Sequence, residues 1–168
     1  MILIVNTTVD TSVTDDLKKN LTGSKAEFEI VEAAGLKIGN CVGCNFCWLK
    51  TPGECTVKDD YEMVLKKIVH ADQLWVISDT ALGFIDHNGK NVYDRMIPAL
   101  TMYLKFYKGQ LRHAPRYQNL PDIGLIYLGS ANKAFLKRWN ERAALNFMRK
   151  SLGVFERNEL KEAVSCMC

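Results

Sequence analysis

Two hydrophobic patterns alternate along the chain. Residues 1 to 5, Met1-Ile2-Leu3-Ile4-Val5, form a short unbroken apolar run, the pattern of a strand buried on both faces within a parallel sheet. Similar runs recur around Phe28 to Val31, at Gln73 to Ser78, at Ile123 to Leu128 and, more briefly, at Gly153 to Phe155. Between them the spacing changes to helical. Asp15 to Leu21 carries Leu at a four-residue interval and ends near Gly23, and Tyr61 to Val69 follows Asp59 and Asp60, which are placed to cap it. Asn91 to Tyr107 reads as a helix that tolerates Pro98 only at a start or kink, and Ala134 to Lys150 as a long amphipathic helix.

Strands alternating with helices in this way predict a right-handed α/β fold of three layers, with a five-stranded parallel sheet of order 2-1-3-4-5. At 168 residues the chain has the size of one compact domain, and residues 1–168 are expected to form it, with a Cys-rich loop at about 38–58. In an open parallel sheet, ligands sit beyond the carboxyl ends of the strands. Three loops are therefore expected to carry function: Thr7 to Thr14, Asp79 to Gly89, and Gly129 to Asn132.

Composition narrows the classes. Apolar residues make up 48% of the chain and charged residues 24%, too apolar for a chain that stays disordered. The formal charge is only +3, which disfavours nucleic acid as a partner. The charge is uneven: residues 1 to 60 are net −3 and the remainder net +6, so an anionic partner should approach the second half. No apolar stretch approaches the roughly 18 residues needed to span a bilayer, and the start lacks the basic region of a secretion signal, so a cytoplasmic protein without membrane contact is expected.

Six cysteines in such a chain are not expected to form a disulfide framework. Four of them, Cys41, Cys44, Cys47 and Cys55, make a C-x2-C-x2-C-x7-C array. Two successive x2 intervals let three thiolates curl round one corner of a cubane and the fourth close it, so a [4Fe-4S] cluster is the most specific reading. Packed reduced thiols, zinc or a disulfide are the alternatives. Cys166 and Cys168 end the chain as C-x-C and read as reduced thiols. His113 falls in a basic stretch from Lys105 to Arg116, His87 in the loop after the third strand, and His70 at a helix end, where its charge favours the dipole. No histidine is paired with a Ser or Cys motif, so a hydrolytic triad is unsupported.

The string from Cys41 to Trp48, followed by Gly53-Glu54-Cys55 and Asp59-Asp60, resembles the NADPH-dependent FMN reductase-like branch of the flavodoxin-like superfamily, and within it the iron-sulfur flavoproteins. Lys90 with Asp94-Arg95 is similar to that branch's Lys-x-x-x-Asp-Arg helix start. Arg116-Tyr117 with Pro121, and Arg142 to Asn146, resemble its later motifs. The resemblance implies FMN at the strand ends, NADPH or NADH as electron donor, a small-molecule acceptor or a redox partner protein, and a homodimer or higher homo-oligomer. The implied FMN contacts are Thr7, Thr8, Thr11, Ser12 and Thr14 for the phosphate, then Ser78, Asp79, Thr80, Gly83, Phe84, Gly129 and Ser130 around the ring.

The phosphate loop departs from the family pattern, since it has no Gly or Arg and contains Asp10 before Asp15 and Asp16. Read without the resemblance, Thr11 or Ser12 caps the first helix, Gly83 and Phe84 make a surface turn, and Ser130 or Asn132 caps the fourth helix. Two functions follow: an FMN-dependent NAD(P)H oxidoreductase or electron-transfer flavoprotein, or a non-enzymatic flavodoxin-like subunit that has lost FMN and keeps the Cys loop as a metal or structural element.

Overall fold

The computed structural model describes residues 1–24 and 26–168. Five parallel strands, β1 (Ile2–Asn6), β2 (Phe28–Glu32), β3 (Gln73–Ala81), β7 (Asp122–Leu128) and β8 (Ser151–Glu156), form the central sheet. Their order is β2-β1-β3-β7-β8, which is 2-1-3-4-5 when the parallel strands alone are counted. Three shorter or peripheral strands lie outside that order: β4 (Phe84–Ile85), which pairs with β3, and the separate hairpin of β5 (Leu100–Tyr107) and β6 (Gln110–Pro115).

Both faces of the sheet are buried because each strand sends alternate apolar residues to opposite sides. Leu3, Val5, Leu74, Val76, Ile123 and Leu125 point to the side covered by α3 (Tyr61–Ile68), α4 (His87–Asp94) and α5 (Lys133–Asn146). Ile2, Ile4, Trp75, Ile77 and Ile126 point to the side covered by α1 (Ser12–Leu21) and α6 (Leu160–Met167). These are the three layers expected from the sequence. A short α2 (Phe46–Leu49) lies within the cysteine loop, and its buried residue is Cys47.

The expected helix over Asn91–Tyr107 is the one large correction. The helix starts earlier, at His87, where Asp86 Oδ1 accepts the Gly89 amide at 2.9 Å, and it stops at Asp94. Asp94-Arg95 therefore ends this helix instead of starting it. Pro98 sits in a single 3₁₀ turn over Ile97–Ala99, and the chain then runs out as β5. The aromatic residues Tyr103, Phe106 and Tyr107 favour extended structure, and Lys108-Gly109, both at positive φ, make the two-residue turn that twisted hairpins prefer. The hairpin leaves Met102, Tyr103, Leu104, Phe106 and Leu111 exposed. His113 accordingly lies on β6. His70 lies just past α3, where its Nδ1 is 2.7 Å from the Lys66 carbonyl. Cys166 belongs to α6, and Cys168 follows it. No helix of the described residues is long and apolar enough to cross a membrane.

Candidate functional site

All three expected loops follow the carboxyl ends of parallel strands, and two of them are in contact. Gly83 bridges Ala131, the Asn132 amide donates to the Gly83 carbonyl at 3.2 Å, and Thr80 Oγ1 donates to the Leu128 carbonyl at 3.0 Å, so the loops after β3 and β7 are tied together. Gly129 has φ +95, and a Cβ there would sit 2.6 Å from Thr80 Oγ1, so no side chain fits between them. Asn132, not Ser130, caps α5, accepting the Phe135 amide at 3.0 Å, and Ser130 is exposed.

After β3 the chain reverses through a tight turn, with Leu82 and Gly83 at φ 52 and 80. Leu82 is wholly exposed at the tip of this turn. Phe84 turns inward and meets Trp139 edge-on at 4.9 Å between ring centroids. Ser78 is fully buried and donates to Asp86 Oδ1 at 2.9 Å. Burial, followed by the nearby carboxylates of Asp86 and Asp10, pushes the Asp79 carboxyl above its ordinary range.

The loop after β1 is already filled by its own acceptors. Thr7 Oγ1 donates to the Ile77 carbonyl at 2.8 Å and Thr8 Oγ1 to Asn6 Oδ1 at 2.9 Å. Glu32, which ends β2, reaches into the loop and accepts from Asn6 Nδ2 and Thr14 Oγ1, both at 2.7 Å. At the start of α1 the side-chain cap comes from Asp10, whose Oδ1 accepts the Ser12 amide at 2.9 Å, while Thr11 makes no side-chain cap bond. A carboxylate thus stands where a helix N-terminus would otherwise attract a phosphate. Thr11 and Ser12 are exposed, and Arg157 adds a cation beside them by pairing with Asp16 at 2.6 Å. This loop sets the Asp10 carboxylate where the resemblance places the FMN phosphate, with Thr11 and Ser12 left exposed beside Arg157. The exposed turn at Leu82-Gly83 and the close approach at Gly129 are compatible with the ring end.

The cysteine loop is the better-formed site. Cys41, Cys44, Cys47 and Cys55 all line one small cavity, together with Thr56, Arg95 and Pro98. Cys47 is buried, Cys41 and Cys55 are half-buried, and Cys44 is exposed. Burial, and then the three neighbouring thiols, push the Cys47 thiol up. The Phe46 amide and Thr56, whose Oγ1 is 3.6 Å from Cys44 Sγ, hold the Cys44 thiol down.

Arg95, an element of the Asp-Arg motif, closes the cavity from below. Its side chain is 1% exposed and that of its partner Asp59 11%. It donates to Asp59 Oδ2 at 2.7 Å and Oδ1 at 3.0 Å, to the Gly39 carbonyl at 2.8 Å and to the Val57 carbonyl at 3.2 Å. These contacts bind both ends of the cysteine loop to one guanidinium. Its Nε is buried without a partner. The sequence places Asp59 at the start of α3 and within the resemblance motif; its pairing with Arg95 is a contact that only the fold brings about. Asp59 also accepts the Tyr61 amide at the helix start, at 3.1 Å.

Among the described residues, no three Cys, His, Asp or Glu side chains are gathered closely enough for a single metal ion. A tetrahedral zinc site would bring its sulfurs to about 3.8 Å from one another, from Zn–S bonds of about 2.3 Å. Thiolates on the outer corners of a cubane stand further apart, and Cys41, Cys44, Cys47 and Cys55, lining one cavity, are the residues that would hold a cluster.

No family model matches the chain. A 72-residue stretch is 33% identical to an iron-sulfur flavoprotein of Methanocaldococcus jannaschii, covering 43% of this chain and 36% of that protein. A 69-residue stretch is 38% identical to an iron-sulfur flavoprotein of Archaeoglobus fulgidus, covering 41% and 33%. The matches thus span about a third of the length of these curated relatives. Among solved structures, RosB with a bound 8-demethyl-8-formylriboflavin-5'-phosphate aligns with 92% of this chain and 63% of its own at a TM-score of 0.62 and 15% identity. The fold is flavodoxin-like, and part of the chain is similar to iron-sulfur flavoproteins, in agreement with the resemblance read from the sequence.

Proposed function

We propose that the chain is a flavin-dependent oxidoreductase of the electron-transfer type, in which Cys41, Cys44, Cys47 and Cys55 hold an iron-sulfur cluster and NADH or NADPH is the donor. The observation that carries this reading is the convergence of four cysteines on one cavity that the buried Arg95 also lines. A flavin supplies hydride acceptance, and a cluster supplies one-electron transfer. The protein's own part is positional. Arg95 ties the two ends of the cysteine loop together. The loops after β3 and β7, locked to each other, offer a rigid platform for a ring.

The absorption spectrum of anaerobically purified protein tests this. A broad brown shoulder is expected, and Cys44→Ser, at an exposed position that leaves the core untouched, is expected to abolish it while leaving any flavin bands in place. A shoulder that survives in the variant rules out ligation by this loop.

A second reading is favoured by the loop after β1: the chain is a flavodoxin-like subunit without FMN, and the cysteine loop alone has a role. Removing the carboxylate from the helix start separates the two. Asp10→Ser is expected to tighten FMN uptake by roughly tenfold, followed by quenching of flavin emission, and to leave uptake of riboflavin, which lacks the phosphate, unchanged. Protein that takes up neither flavin in either form supports the second reading.

A further inference from the structure

A cleft of about 620 Å³ is walled by the β5–β6 hairpin, α4, α5 and Trp48 of the cysteine loop. That is the size of a small-molecule site. Two aromatic pairs line it: Trp48 with His113, 4.3 Å between ring centroids, and Tyr93 with Trp139 at 4.6 Å.

Its charge is unbalanced. Asp94, the acidic residue of the lining, is engaged by Lys90. Arg112 and Arg142 both donate to one neutral acceptor, Gln110 Oε1, the latter at 3.0 Å. Among the described residues neither forms an ion pair, and Arg112 Nε is buried without any partner. Two guanidinium forks over aromatic walls are suited to a flat ring bearing a carboxylate, sulfonate or phosphate.

We infer that this cleft is a binding site for a planar aromatic anion, its ring among the aromatic pairs and its acidic group on Arg112 and Arg142. None of the flavin residues lines the cleft, although Phe84 packs on its wall residue Trp139, and the inference does not rest on the proposed cofactor. A ligand there would lie against Trp48, the neighbour of Cys47, which is where a substrate of the cysteine centre would need to be.

Naphthalene-2-sulfonate is a suitable probe because it is flat, anionic and inert to thiols. Titrated into the full chain as purified, it is expected to quench tryptophan emission saturably, and the uncharged naphthalene-2-sulfonamide is expected to bind at least about tenfold more weakly. Arg112→Gln, at a half-buried position, and Arg142→Gln, at an exposed one, are each expected to weaken the sulfonate by about tenfold and to leave the sulfonamide unchanged. Absence of saturable quenching, equal binding of the two probes, or full affinity in both variants overturns the inference. Sulfonate binding by protein that fails to take up FMN leaves the inference standing and removes the flavin reading.

Discussion

Replacing Arg95 by methionine is expected to destabilise the protein by about 3 to 5 kcal/mol, because it leaves the Asp59 carboxylate largely buried without its counter-charge. It also leaves the Gly39 and Val57 carbonyls without their shared donor, so the cysteine loop loses the tie between its two ends. Urea midpoints at unchanged slope would measure the loss. The double variant Arg95→Met/Asp59→Asn should recover part of it, since no uncompensated charge is then buried.

The same pair makes a pH prediction. Burial opposes ionisation of Asp59, but hydrogen bonds from Arg95 and from the Gly39 and Tyr61 amides outweigh it, holding the carboxyl below its ordinary range. A depressed carboxyl contributes stability that is fully present above the unfolded-state value and is lost as pH falls through the folded one. The gap between wild type and Arg95→Met should therefore be widest near neutrality and narrow below about pH 4. A gap that does not change with pH would mean that packing of the arginine stem, and not its charge, matters.

Gly124→Ala is expected to cost about 3 kcal/mol although it adds one methyl group. A Cβ at this position would lie 2.4 Å from Cε3 and 2.6 Å from Cδ2 of Trp75, which is its register partner across the sheet. Trp75 is fully buried, and its ring lies across β7 within the core shared with α1 and α6, so it has no room to move aside. For a chain of this length the melting temperature should fall by roughly 5 to 10 °C. In a Trp75→Leu background the glycine substitution should cost far less, because the colliding ring is gone; equal costs in both backgrounds would contradict the contact.

The places where sequence and structure part company have physical causes. The helix expected over Asn91–Tyr107 rested on apolar spacing that a strand satisfies equally well once Pro98 interrupts the run. The aromatic residues of β5 and the Lys108-Gly109 turn were the available signals for a hairpin. Asp59 was visible as an acidic residue before a helix, whereas its partner Arg95 lies 36 residues away and no local pattern links them. The hydroxyls after β1 looked free in sequence. Glu32 consumes one of them, and backbone and side-chain acceptors of neighbouring elements consume others.

By itself the sequence determined the layered parallel sheet, because unbroken apolar runs have to be buried on both faces and helical spacing supplies the covers. It also determined the cysteine loop, since four thiols at those intervals are a local property of the chain. Only the tertiary structure decided which polar groups are free to act. Asp10 occupies the helix start, Arg95 keeps one buried N–H unspent, and Arg112 and Arg142 share a single neutral acceptor. Hydrogen-bond satisfaction is settled by whichever groups the fold brings together, and those groups lie on different elements and far apart along the chain.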